Sequence, residues 1–245
     1  EKIWDLIVPQ LHEILGTQRH RLAMDTASAR AEGESTFEKR SSGFPNQLKV
    51  EEHGICWELD LQSGHKTGFF VDQRENRLRL QQEVKQLKAQ GRTVRVLDVC
   101  TYTGGFALNA AAGGADEVLA IDLDEKAIAQ AKRNANLNQY RQIQFRHADA
   151  FPYLRQLAAN GKQYDIVVVD PPKFIPSRKA FEEGQGKYHD INKLAIPLIA
   201  PGGLMVTCSC SGLFRSLDFQ ETIRRSARLR PLQILREAGA GPDHP

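Results

Sequence analysis

TVRVLDVCTYTGGFALNAAA, residues 93–112, joins a strand at 93–99 to a helix at 106–112 through a turn with two adjacent glycines. The alternation continues outward from there. Downstream, strands at 117–121, 143–147, 164–169 and 204–208 alternate with helices at 125–137, 151–159, 188–199 and 219–228. A charged helix at 75–90 leads in. The four consecutive apolar residues at 166–169 suit a strand covered on both faces. Strands alternating with helices make βαβ units, so the expected architecture is α/β with a parallel, doubly wound sheet.

Upstream the pattern differs. Apolar residues recur at helical spacing over 4–15 and stop at Gly16. Residues 19–46 are polar and rich in Ser, Gly and charge, which reads as irregular chain. Residues 48–61 alternate as a hairpin turning at Gly54. The chain therefore divides into a small α+β accessory segment, 1–62, too short to hold a substantial core alone, and a main domain, 63–245.

The chain has 245 residues, 33 Lys and Arg against 30 Asp and Glu, and 41% apolar residues, a globular balance that excludes a wholly disordered chain. No apolar run approaches the ~18–20 residues of a membrane span. The first 25 residues hold no cleavable apolar core. No membrane partner is expected, and the expected location is the cytoplasm. The chain opens on Glu1 rather than Met, which reads as a piece of a longer protein. Cys56, Cys100, Cys208 and Cys210 are too few and scattered for a disulfide framework and read as reduced thiols. Cys208 and Cys210 supply only two ligands of a zinc site, with no second pair suitably spaced, so no metal is expected. A net charge of +3 permits an anionic partner without demanding one.

In an open α/β sheet, ligands bind outside the carboxyl ends of the strands. After the first strand come Asp98, Thr101, Tyr102, Thr103, Gly104, Gly105 and Phe106. Adjacent glycines before a helix either let the backbone approach a ligand or serve the turn itself. Asp122, 24 residues after Asp98 and followed by Leu123, is placed to accept from both ribose hydroxyls of a nucleoside. Asp149, followed by Ala150, is a candidate contact to an adenine. Either Asp reads equally as a helix N-cap. A nicotinamide dinucleotide needs G-x-G-x-x-G for its pyrophosphate, and the turn lacks that spacing. S-adenosylmethionine has no phosphate and carries a positive amine that the acid at Asp98 would meet, so it is the expected cofactor. Asp170-Pro171-Pro172-Lys173 closes the fourth strand with a stiff extended segment whose carboxylate and carbonyls can hydrogen-bond a flat base.

Five stretches together resemble a known family: VEEHGICWELDLQSGHKTGFFVDQRENR at 50–77, TYTGGFAL at 101–108, DPPKF at 170–174, YHDINKLAI at 188–196 and SCSG at 209–212. They are similar to class I S-adenosylmethionine-dependent methyltransferases, and more closely to the bacterial large-subunit rRNA cytosine-5 methyltransferases. The first stretch also resembles a neighbouring guanine-methylating family that lacks the cysteine. The resemblance implies a Rossmann-like sheet and an rRNA partner presenting an unpaired or flippable cytosine. It also implies Asp72, Gln73 and Arg74 near the cofactor tail, with Lys66, Pro171, Pro172 and Lys173 on the substrate side. Phe69 and Phe70 point to opposite faces if extended, so one is expected in the core. Family members usually carry an RNA-binding PUA domain before this region and continue past an Asp-His-Pro stretch such as 243–245 into a last strand. Neither is expected within this chain, which leaves the main domain truncated at its C-terminus. The oligomeric state stays open, a homodimer included.

The same resemblance gives the cysteines a purpose. Carbon 5 of cytosine is a poor nucleophile until a thiolate adds to carbon 6 and makes it enamine-like. Cys208 and Cys210 share parity in an extended strand, so parity does not separate them. Other RNA cytosine-5 methyltransferases place the nucleophile seven residues after the second glycine of a pair. Cys210 stands seven residues after Gly203, which selects it, with Asp170 polarising the ring. Two other functions stay open: N-methylation of guanine on the same fold, which needs no thiol, and a non-catalytic RNA-binding accessory role.

Overall fold

The computed structural model describes residues 2–24, 29–30, 33, 35–61, 68–228 and 230–241. They form two compact units, Glu1–Leu48 and Lys49–Pro245. In the first unit, helix α1 (Lys2–Leu15) carries Pro9 inside it. Strand β1 (Arg21–Met24) pairs antiparallel with β2 (Phe37–Arg40). The stretch expected to be irregular therefore contains a two-stranded ribbon. Its exposed residues are Ala23, Glu38 and Lys39, and the Arg21 guanidinium forks onto Glu38 at 3.1 and 3.2 Å. Such strands give no apolar alternation to read.

The second unit begins earlier than composition suggested, at residue 49 rather than 63, because the hairpin of β3 (Gln47–Glu52) and β4 (Ile55–Asp60) packs into it. His53 and Gly54 both have positive φ, 54° and 78°, the geometry of a two-residue type I′ turn. There follow a 3-10 turn (Val71–Gln73), α2 (Arg74–Ala89), β5 (Arg95–Val99), α3 (Gly105–Ala112) and β6 (Glu117–Asp122). Then come α4 (Glu125–Leu137), β7 (Ile143–His147), α5 (Ala150–Ala159), β8 (Tyr164–Val169), α6 (Phe181–Ala195), β9 (Ile199–Thr207) and α7 (Ser216–Ala227). One face of β4 buries Ile55, Trp57 and Leu59. Side chains of α4 satisfy its backbone as a neighbouring strand would. Asn134 Oδ1 accepts from Glu58 N at 3.0 Å, and Asn138 both accepts from Cys56 N (2.9 Å) and donates to Cys56 O (2.7 Å).

The main sheet is parallel, in the order β7-β6-β5-β8-β9. Its strands obey the period-two rule that builds two apolar layers. Val96, Ile166 and Val168 join Leu80, Val84 and Leu108 on one side, while Leu97, Val99, Val167 and Val169 join Leu154 and Ile191 on the other. All six residues of β8 are buried, as a strand covered on both faces must be. The strand order reverses between β5 and β8, and this opens a crevice at their carboxyl ends.

Two neighbouring elements differ most from expectation. The helix read at 188–199 starts at Phe181 and ends at Ala195, and its last expected turn is a 3-10 turn (Ile196–Leu198) leading straight into β9. Gly184 and Gly186 disguised its first half, and Pro197 removes the amide that would continue it. Strand β9 starts five residues before the expected 204, with an irregularity in its pairing between Tyr164 and Ile166. Pro201-Gly202-Gly203 hid this start. A Cβ at Gly203 would meet Asp165 O at 2.8 Å, so only glycine fits. Among the described residues, no helix is long and apolar enough to cross a membrane.

Candidate active site

The loop after β5 is wound tightly. Cys100, Tyr102 and Gly104 have φ of 63°, 50° and 92°, alternating left-handed positions that cost two non-glycine residues local strain. Hydrogen bonds hold it there: Thr101 N donates to Ile121 O at 3.0 Å, Tyr102 N to Asp122 Oδ2 at 2.7 Å and Gly104 N to Thr101 O at 2.9 Å. Asp98 braces the loop from below. Its Oδ2 accepts from Thr101 Oγ1 at 2.6 Å and from Ala107 N at 2.9 Å. Asp98 has no exposed surface, and burial pushes its carboxyl up to about 7, against the pull of the Thr101 hydrogen bond. The expectation that Asp98 meets a ligand amine is thereby narrowed to Oδ1, a buried oxygen with no partner among the described residues.

The glycine pair serves the turn itself. A Cβ at Gly104 would collide with Leu108, and one at Gly105 would press on the Arg77 side chain at 3.3 Å. Turn geometry and helix packing require these glycines, so close approach of a ligand is not needed to explain them. Phe106 and Thr103 are buried, and Tyr102 takes the edge of Phe70 at 5.1 Å.

Asp122 is not a helix cap. Its two oxygens accept from Tyr102 N and Asp124 N, and Asp124 caps α4 instead. Leu123 beside it is 67% exposed. Asp149, in contrast, does cap α5 by accepting from Phe151 N at 2.9 Å, and half-buried Ala150 opens that helix. The cap reading is realised for Asp149.

Across the crevice lies Asp170, whose N–H donates to Val99 O at 3.2 Å. Gln73 Nε2 donates to its Oδ1 at 3.4 Å. Burial pushes the Asp170 carboxyl up to about 7, Asp72 raises it further, and Arg77 and the Cys208 thiol lower it. Asp72 and Gln73 therefore stand with Asp170. The Arg74 guanidinium turns to Glu75 at 3.3 Å. Pro171 is buried, Pro172 and Lys173 are exposed, and Lys66 lies outside the described residues. Phe69 is the core member of its pair, packed 5.0 Å from Trp57, while Phe70 is 37% exposed.

The two cysteines after β9 differ sharply. Cys208 N donates to Val169 O at 2.9 Å, and its thiol reaches Asp170 and Gln73. Burial and the neighbouring Asp170 push that thiol well above its ordinary range. Cys210 is exposed.

Arg77 escaped the sequence reading. Its guanidinium is clamped by Glu52 (2.7 and 2.8 Å) and Phe70 O (2.7 Å) and lies 4.5 Å over the Phe69 ring. The signal was available: Arg77, Leu80, Gln81 and Val84 share the buried face of α2, so an arginine stands where an apolar residue belongs.

The sequence profile of the S-adenosylmethionine-dependent methyltransferases matches residues 17–244. The chain belongs to that family. Its cofactor is S-adenosylmethionine, and the buried, unpartnered Asp98 Oδ1 fits a molecule that brings an ammonium donor. The chain is 38% identical over 205 residues to the "Ribosomal RNA large subunit methyltransferase I" of Enterobacter sp. (strain 638). It matches the protein of that name from Salmonella paratyphi B (strain ATCC BAA-1250 / SPB7) equally well. Each match covers 82% of this chain, and the chain spans about half the length of these relatives, 50% and 49%. Among solved structures, a candidate SAM-dependent methyltransferase from Streptococcus mutans covers 99% of this chain and 60% of its own, with a TM-score of 0.81 at 22% identity. A SAM-dependent methyltransferase from Agrobacterium tumefaciens covers 79% and 62%, with a TM-score of 0.65 at 24% identity. Both likenesses speak for the fold alone.

Proposed function

We propose that this chain transfers a methyl group from S-adenosylmethionine to carbon 5 of a cytosine in large-subunit rRNA, with Cys210 as the nucleophile. The rRNA substrate rests on the relatives named above. The observation that carries the chemistry is the contrast between two cysteines at one strand end. Cys208 is turned onto Asp170 and held as a neutral thiol. Cys210, two residues on, is exposed.

Bound in the crevice, S-adenosylmethionine supplies an electrophilic methyl on a sulfonium. The Cys210 thiolate forms a bond to carbon 6, and the ring electrons shift to carbon 5, which takes the methyl. Loss of the carbon-5 proton to a base then restores the double bond and releases the thiolate. Asp170, with its carboxyl near neutrality, hydrogen-bonds ring nitrogen 3 or the exocyclic amine and steadies the charge that develops there. Asp122 takes the ribose hydroxyls, with Leu123 and Asp149 toward the adenine and Asp72 and Gln73 toward the tail. The target base must leave its stack to reach such a site, so unpaired or flippable RNA is the substrate. An enzyme of this kind works in the cytoplasm.

Nucleoside mass spectrometry of large-subunit rRNA treated with the protein tests this. The wild type should produce 5-methylcytidine and Cys210→Ala none, while Cys208→Ala should retain a reduced activity. A Cys210→Ala protein that still methylates, and yields a methylguanosine, would establish the guanine reaction instead.

A further inference from the structure

YHDINKLAI at 188–196 lies on α6, away from the cofactor loop, yet two of its side chains reach the cysteine-bearing segment from opposite ends. Asn192 Oδ1 accepts from Thr207 Oγ1 at 2.8 Å. Tyr188 OH and Ser211 Oγ are 3.0 Å apart and hydrogen-bonded. Tyr188 and Asn192 are one helical turn apart on the same face, and both are completely buried. Thr207 and Ser211 bracket the three residues that contain Cys208 and Cys210. Asn192 is itself locked by donating to Tyr188 O at 2.7 Å.

The same serine also reaches the other active loop. Ser211 Oγ accepts from Ile175 N at 3.2 Å, so it ties the segment after β9 to the segment after Asp170. The Tyr188 ring packs 4.9 Å from Phe174 and 5.2 Å from Phe214. A Cβ at Gly184 would collide with Phe174 O, so α6 lies directly against the post-β8 segment. Helix α6 therefore contacts both loops, and Ser211 is their shared anchor.

We infer that Tyr188 and Ser211 are positioning residues, a buried hydroxyl pair on α6 and the Cys210 loop that fixes the thiol relative to the base held by Asp170. The inference rests on the proposed cytosine-5 reaction. The anchor narrows the range of distances from carbon 6 open to the Cys210 sulfur. A misplacement of about 1 Å can slow a bond-forming step about 100-fold.

Single-turnover methyl transfer to rRNA separates the possibilities when measured for Tyr188→Phe, Ser211→Ala and Cys210→Ala, with S-adenosylmethionine affinity and Tm recorded for each. Tyr188→Phe removes one oxygen and keeps the ring, so it leaves the aromatic packing intact. It should slow single-turnover transfer about 10-fold, with cofactor affinity unchanged and Tm lowered only slightly by the lost hydrogen bond. Ser211→Ala, which also leaves the Ile175 amide unpaired, should slow transfer further. Wild-type rates in both, with Cys210→Ala inactive, would overturn this inference and leave the cytosine-5 reading standing. Slowing matched by an equal loss of cofactor affinity would reduce the pair to structural support and overturn it too. An active Cys210→Ala protein would overturn the cytosine-5 reading and this inference with it.

Discussion

Thr101 Oγ1 donates to Asp98 Oδ2 at 2.6 Å, a buried hydrogen bond between the end of β5 and the loop that follows it. It connects folding to the crevice, because the same loop offers the Tyr102 amide to Asp122. A carboxyl in this position is costly to ionise. Burial pushes Asp98 up to about 7, and Asp170, itself raised to about 7 by burial, adds to the shift.

The consequence for stability has a definite sign. Both folded carboxyls hold their protons to higher pH than the unfolded chain does. Their contribution to stability is therefore fully present below about pH 4 and is lost as pH rises through about 7. Each group contributes at most ~1.4 kcal/mol per pH unit within the window. Urea unfolding across that range measures it. Asp98→Asn should flatten the slope, and an unchanged slope would rule out Asp98 as its source.

Arg77 and Glu52 form a buried pair with side-chain exposures of 3% and 10%. Arg77→Met should cost roughly 3–5 kcal/mol, because it leaves the Glu52 carboxylate buried without a counter-charge. Adding Glu52→Leu should recover much of that loss. Urea midpoints of the two variants give the comparison. A single-variant loss below about 1 kcal/mol would mean that water reaches Glu52 when the arginine is gone.

The parts of this fold that were legible are those where one physical demand acts alone. Strand β8 is apolar at 166–169 because both faces are covered, and the hairpin turned at Gly54 because that residue holds φ of 78°. The ribbon of β1 and β2 alternates neither in sequence nor in burial, and Gly184 in α6 and Gly203 in β9 obscured both elements while serving close backbone packing. In the crevice, residue type pointed to Asp170 and Asp122, which stand at the ends of β8 and β6, Asp122 accepting from two backbone donors. It left the glycine pair and Asp149 with two readings each, and the structure realises turn geometry for the one and helix capping for the other. The pairing of Ser211 with Tyr188 was beyond reach, although both lie in stretches that carry the family resemblance, since a hydrogen bond between residues 23 apart leaves no local signal.

Asp122→Ala should weaken S-adenosylmethionine binding, since a hydrogen bond to a charged acceptor contributes about 1.5–3 kcal/mol, or roughly ten-fold or more in affinity. The same change removes the acceptor for Tyr102 N and Asp124 N. Asp122→Asn, which keeps one oxygen, should lose less. Isothermal titration calorimetry reads both. Equal affinity in all three proteins would remove Asp122 from the ribose contact.

The most direct measurement is covalent trapping on rRNA carrying 5-fluorocytosine. Fluorine at carbon 5 cannot leave as a proton, so a thiolate that has added to carbon 6 and allowed methyl transfer stays attached. The wild-type protein should form an adduct stable in denaturing gels, with Cys210 as the modified residue by peptide mass spectrometry, and Cys210→Ala should form none. An adduct through Cys208, or methyl transfer by the wild type with no adduct at all, would contradict Cys210 as the nucleophile.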